Sequence, residues 1–163
     1  MRKFERLSVL LADEPATRAA GAALARGLAA SGEGARFVTL SGELGAGKTT
    51  LVRGALLALG IQGPVRNPTY TLLESYPAGT RCVHHFDWYR LGSASDLEAL
   101  GFRELLAPGQ WVLAEWPERV EEVAGLADLA LHLRYEGDGR RLTAAPLTAA
   151  GATIVAALKT SIT

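Results

Sequence analysis

Apolar positions along the chain gather into short runs of strand length, separated by stretches with helical spacing. The clearest run is Phe37 to Leu40, which reads as a buried strand. A helical pattern over residues 51–59 follows it and stops at Gly60. Ahead of that run, residues 6–11 alternate weakly and end in two leucines, which predicts a first strand. Asp13-Glu14-Pro15-Ala16-Thr17 then reads as a helix start. Asp13 can cap free amides, Glu14 suits the positive helix end, and Pro15 is tolerated in a first turn. Ala16, Ala20, Ala23, Leu24 and Leu28 fall on one face of that helix, and Ser31-Gly32-Glu33-Gly34 breaks it.

Beyond Gly60, two prolines and a glycine make residues 61–70 a loop, with Pro68 biasing its neighbour away from helix. Thr71 to Tyr76 and Cys82 to Asp87 read as strands joined by Pro77-Ala78-Gly79-Thr80 into an antiparallel hairpin. Ser95-Asp96-Leu97-Glu98 has capping-box spacing and predicts a short helix that stops near Gly101. Trp111 to Glu115 is a buried-strand pattern ending in an acid. Leu129 to Tyr135 and Arg141 to Ala145 flank Glu136-Gly137-Asp138-Gly139 as a second hairpin, and residues 148–159 predict a last helix. Strands alternating with helices give an α/β fold, and the two hairpins make its central sheet mixed.

Composition narrows the class. The 163 residues suffice for one domain with a real core, and 48% hydrophobic with 21% charged content reads as globular. Formal net charge is zero, so no global field draws in nucleic acid or an anionic membrane. The single cysteine, Cys82, excludes an internal disulfide and fits a reducing compartment. No apolar run reaches the ~18 residues of a membrane span, and Met1-Arg2-Lys3-Phe4-Glu5 reads as a native start without a secretory signal. A cytoplasmic protein with no membrane partner is expected.

Between the strand at 37–40 and the helix that follows lies Gly42-Glu43-Leu44-Gly45-Ala46-Gly47-Lys48-Thr49, with Thr50 next. It fits G-x-x-x-x-G-K-[ST], the phosphate-cradling P-loop, in the strand–turn–helix context that the pattern needs. Backbone N–H groups of such a turn and of the helix N-terminus converge on one anion. Lys48 would reach the β- and γ-phosphates and the Thr49 hydroxyl would bind Mg2+. The fold expected is therefore a three-layer P-loop NTPase-like sandwich with a central mixed sheet, residues 1–163 forming a single domain.

A P-loop enzyme needs a second acid at the end of a neighbouring strand. Asp87 and Glu115 each end an apolar run. A carboxylate beside a polyphosphate requires a cation for charge balance, so Glu115 can ligate Mg2+, orient the attacking water, or both. Thr69 lies in a loop able to close over the γ-phosphate. Arg66, Arg90 and Arg103 are read first as surface arginines. His84 and His85 alternate across a strand and cannot share one metal, which disfavours a zinc site. Trp88, Trp111 and Trp116 read as core or interface aromatics. The only lysines are Lys3, Lys48 and Lys159, none in an [NT]-K-x-D motif, so the nucleotide expected is ATP and not GTP.

These residues together resemble the TsaE family (also called YjeE), P-loop ATPases needed to form threonylcarbamoyladenosine in bacterial tRNA. The resemblance covers most of the chain. It runs through Asp13-Glu14-x-Ala16-Thr17, the P-loop with Thr50, and Asn67-Pro68-Thr69-Tyr70-Thr71-Leu72. It continues through His85-Phe86-Asp87-Trp88-Tyr89-Arg90-Leu91 and Glu115-Trp116-Pro117. Asn67 stands where the family usually has Ser, Trp88 where it has Leu, and the segment after Pro117 lacks a common proline. The resemblance implies ATP and Mg2+ as ligands, with the metal held by Thr49 and Glu115 and with Asp87 nearby. It places Glu14 and the hairpin turn near Gly139 beside the adenine. It implies homologues of TsaD and TsaB as partners and tRNA met indirectly through that complex, in keeping with zero net charge. It also implies an ATP cycle that resets the complex, the threonylcarbamoyl transfer itself belonging to the partners. The alternatives are a P-loop small-molecule kinase, against which the short loops and the lack of an arginine-rich lid count, and a nucleotide-dependent binding module with negligible turnover.

Overall fold

The computed structural model describes residues 4–66 and 68–162. The expected start at Met1 and the Asn67 position of the resemblance lie outside them. Seven strands form one sheet in the order β1-β7-β6-β2-β5-β4-β3. They are β1 (Leu7–Leu11), β2 (Arg36–Ser41), β3 (Leu73–Ala78), β4 (Arg81–Asp87), β5 (Gln110–Glu115), β6 (Leu129–Glu136) and β7 (Gly139–Pro146). Parallel pairing joins β6, β2, β5 and β4 in the middle, and antiparallel pairs lie outside them. The mixed sheet expected from the two hairpins is present.

Strand alternation assigns each face of the sheet its own core. Val38, Leu40, Val83, Trp111 and Leu113 point to one side, where they pack with Leu24, Leu28, Leu51 and Leu56. Leu24 and Leu28 come from α1 (Glu14–Ala30), Leu51 and Leu56 from α2 (Lys48–Ala58), and Ile154 adds α5 (Ala149–Ile162). Phe37, Phe86, Val112 and Ala114 point to the other side and meet Trp88, Phe102 and Leu97. Phe102 packs edge-on to Phe37, Phe86 and Trp88 at centroid distances of 5.4 to 5.8 Å, an arrangement that aromatic quadrupoles favour. This second face is covered by α3 (Ala94–Ala99), α4 (Glu121–Ala124) and 3-10 turns at Phe102–Leu105 and Pro117–Val120.

Asp13 caps α1 as expected, accepting from Ala16 N at 2.9 Å. Two local expectations need correction. The cap of α3 is Ser93 and not Ser95, so the capping box does not form. Asp96 instead reaches back to accept from Gly92 N at 2.9 Å, which draws the helix start two residues upstream. The strand expected from Thr71 begins at Leu73, because Leu72 N bonds back to Pro68 O at 2.8 Å and Leu72 adopts a φ of 68°. That strand runs on through Pro77, which the ladder tolerates because β3 lies at the sheet edge.

The helix that carries the P-loop lysine is set by a backbone contact. A Cβ on Gly21 of α1 would lie 2.0 Å from Leu51 O of α2, and one on Gly54 would lie 2.1 Å from Arg18 O. The two helices therefore touch through reciprocal glycines. Gly21→Ala is expected to cost about 3 kcal/mol of stability, read as a lower urea midpoint with an unchanged slope.

Candidate functional site

The strand register brings the candidate acids to the sheet edge where β2 runs into the P-loop. Asp87 is paired with Glu115, and Glu115 with Leu40, so both acids sit one step from Ser41 and the turn that follows. Their parity matches Val83 and Leu113, which places them on the α1–α2 side beside the N-terminus of α2. Ligand sites at the carboxyl ends of parallel strands are the general expectation for such sheets.

Between Ser41 and α2 the chain turns tightly. Gly47 is the N-cap with φ 108°, so α2 begins at Lys48. A Cβ on Gly42 would fall 2.3 Å from Leu133 O, so this turn lies against the end of β6. Ala46 is fully buried and anchors the loop in the core. Lys48 Nζ donates to Gly42 O and to Glu43 O, the latter at 3.1 Å, and lies 4.0 Å from the centroid of the Trp116 ring. Only 5% of Lys48 is exposed, and desolvation lowers its pKa from the ordinary lysine value. The charges of Glu115, Glu118 and Asp87 oppose that effect.

Thr49 Oγ1 donates toward both oxygens of Glu115, at 3.3 and 3.2 Å. The hydroxyl and the carboxylate are hard oxygen donors, the kind that Mg2+ takes together with phosphate oxygens and water. Asp87 accepts from Thr69 Oγ1 at 3.3 Å and from Tyr89 N at 2.9 Å, so the loop threonine does meet the second acid. Among the described residues no cluster of three or more His, Cys, Asp or Glu side chains could hold a metal.

Lys48, Thr49, Thr69, Asp87, Glu115 and Trp116 line one cavity of about 220 Å³, together with Leu44, Gly45, Gly47 and Thr50. A second cavity of about 200 Å³ shares Gly45, Gly47 and Thr50 with it and continues to Asp13, Glu14, Asp138 and Gly139. Glu14 and Gly139, far apart in sequence, thus face one space next to the P-loop. Of the three arginines, Arg103 pairs with Glu98 at 2.8 Å and Arg90 stacks on Tyr70 at 4.7 Å. Arg66 meets Tyr76 only through its backbone, and none of the three lines either cavity.

Two further neighbours of the site were not assigned roles from the sequence. His85 is fully buried and its Nε2 lies 2.5 Å from Glu115 Oε2. A carboxylate accepts, so this nitrogen carries the proton, and the imidazole braces Glu115 from behind. Its position in a strand two residues before Asp87 was the available signal. Trp116 was read as a core or interface aromatic, but it is half-buried and covers the Lys48 ammonium. Its left-handed backbone, φ 63°, is rare for a bulky residue. The backbone bond from Trp116 N to Leu40 O, at 3.2 Å, helps to hold it there. His84, by contrast, bonds Ser75 at 2.7 Å and Gln110 at 2.6 Å, well apart from Glu115. Trp88 and Trp111 are core residues as expected, and Cys82 is half-buried.

Comparisons with known proteins bear on the family and the fold. The family model for the threonylcarbamoyl adenosine biosynthesis protein TsaE matches residues 11–143. The tRNA threonylcarbamoyladenosine biosynthesis protein TsaE of Haemophilus influenzae is 40% identical over 125 residues, which cover 77% of this chain and 79% of that one. Its namesake in Bacillus subtilis is 35% identical over 119 residues, covering 73% and 74%. The crystal structure of YdiB from Bacillus subtilis superposes with a TM-score of 0.77 at 24% identity, over 98% of both chains, and supports the fold. No helix among the described residues is long and apolar enough to cross a membrane. With a P-loop, two strand-end acids and a family match spanning most of its length, the chain belongs to the TsaE family of threonylcarbamoyl adenosine biosynthesis proteins.

Proposed function

We propose that this protein binds and hydrolyses ATP with Mg2+, and that its ATP cycle supports repeated rounds of tRNA threonylcarbamoyladenosine formation by a complex of TsaD and TsaB homologues. The observation that carries the reading is the placement of Thr49 and Glu115 within 3.3 Å of each other, beside the P-loop lysine. A kinase would need an acceptor-binding lid, against which the short loops of the sequence count.

The residues have distinct tasks in this reading. Lys48 leaves the Gly42 and Glu43 carbonyls for the β- and γ-phosphates, exchanging two neutral acceptors for anionic ones. The amides of Gly45 and of residues 47–49, at the N-terminus of α2, bind the same phosphates. Thr49 and Glu115 would hold Mg2+, which would supply charge neutralisation at the phosphate oxygens. Glu115, braced by His85, orients the water that attacks the γ-phosphorus as the bond to the β-phosphate oxygen breaks. Asp87 keeps Thr69, and with it the 68–72 turn, against the site. Glu14 and Gly139 flank the adenine in the second cavity.

The test is a reconstituted modification assay with tRNA, TsaD and TsaB homologues, and ATP, run with and without this protein. Product is expected to exceed one equivalent per complex only when the protein is present. Equal multiple-turnover yields in both reactions would remove the proposed role.

A further inference from the structure

The turn-proximal end of the β6–β7 hairpin meets the P-loop from its outer side. Tyr135 and Arg140 are cross-strand partners there, and the Arg140 guanidinium lies 4.2 Å from the Tyr135 ring centroid. The Tyr135 hydroxyl donates to Leu44 O at 3.1 Å, and Arg140 Nη2 donates to Gly45 O at 3.4 Å. One stacked pair of side chains therefore holds two successive carbonyls of the loop.

A peptide unit is planar and trans, so its C=O and the N–H that follows point in opposite directions. Holding Leu44 O outward turns the Gly45 N–H inward. Holding Gly45 O has the same effect on the Ala46 N–H, but that donor is engaged by Glu43 O at 3.0 Å. The Gly45 N–H is thus the donor whose aim the hairpin sets, and Gly45 lines both cavities. Position 45 is itself shaped by the hydroxyl, because a Cβ there would fall 2.7 Å from Tyr135 Oη. Tyr135 lines neither cavity, so any influence on a ligand passes through the loop.

The geometry points to Tyr135 as a positioning residue for polyphosphate binding, which fixes the direction of the Gly45 amide from outside both cavities, while Arg140, on which it stacks, lines the second cavity itself. The inference rests on the nucleotide reading of the site. It also gives the late hairpin two tasks, since Gly139 flanks the proposed nucleoside space while its neighbours shape the phosphate cradle.

Tyr135→Phe keeps the ring and its stack on Arg140 and removes only the hydroxyl. The test is calorimetric titration of the full chain, wild type and variant, with Mg-ATP and with inorganic tripolyphosphate. Both affinities are expected to fall by the same factor, about fivefold, the worth of one neutral hydrogen bond in an equilibrium constant. The thermal midpoint should stay unchanged, and the ligand-induced shift of the Gly45 amide resonance should shrink in the variant. A loss confined to ATP would move Tyr135 to the nucleoside and overturn the inference. Unaltered affinities for both ligands, or a loss that follows a lowered midpoint, would overturn it equally. A wild type that binds neither ligand would instead remove the nucleotide reading itself, and the inference with it.

Discussion

Glu115→Gln is expected to bind ATP within about threefold of wild type and to hydrolyse it at least about a hundredfold more slowly. The substitution is close to isosteric. Its amide oxygen can still accept from His85 Nε2 and from Thr49, so the packing behind the site has no reason to change. What disappears is the negative charge, and with it both the affinity for a divalent cation and the pull on a water proton. Binding energy from Lys48 and the loop amides does not depend on that charge, so ground-state affinity survives. The separation is read by equilibrium titration with ATP alongside single-turnover release of phosphate. Because the intrinsic rate of the isolated protein is expected to be slow, the same variant should also be added to the reconstituted modification assay. There it should give a single round and then stall. Equal loss of binding and hydrolysis would show instead that Glu115 is needed to hold the nucleotide.

Why the sequence revealed the acids but not their support follows from the range of each signal. The P-loop and the strand-end acids are written in contiguous residues: an apolar run, then Gly42 to Thr49, and apolar runs that stop at Asp87 and Glu115. Local patterns of this kind also predicted the Asp13 cap, both hairpins and the mixed sheet, all of which the structure contains. The missed features depend on register. His85 meets Glu115 only because β4 and β5 pair in parallel, with Asp87 beside Glu115 and His85 on the same face. Trp116 covers Lys48 only because its backbone turns left-handed directly after β5, a conformation that nothing in Glu-Trp-Pro announces. The capping-box expectation failed for a related reason. Two serines, Ser93 and Ser95, compete as caps, and the choice between them was made by the Asp96 bond to Gly92. The Glu14 and Gly139 assignment came from resemblance alone, since a cavity shared by a helix start and a distant hairpin leaves no mark in local pattern.

Lys48→Met should have a profile unlike that of Glu115→Gln: ATP affinity about a hundredfold lower, with stability preserved. Methionine keeps the apolar stem against the Trp116 ring and removes the ammonium. In the folded protein that ammonium is nearly enclosed, and desolvation makes its proton easier to lose than in an unfolded chain. The bonds to Gly42 O and Glu43 O and the Trp116 ring compensate for part of the desolvation. On the proposed reading the charge serves the ligand, and its removal is not expected to lower the unfolding free energy from urea titration by more than about 1 kcal/mol. The sign can be checked through pH. A lowered pKa in the folded state means that the unfolded chain binds more protons between that value and the ordinary 10.5. In that alkaline window wild-type stability should rise relative to the Met variant as pH increases, and below it the difference should be constant. Urea titrations of both chains across the window measure this directly. A variant that is markedly less stable at neutral pH would mean that Lys48 braces the P-loop as well as waiting for phosphate, and its lost affinity could then not be credited to charge.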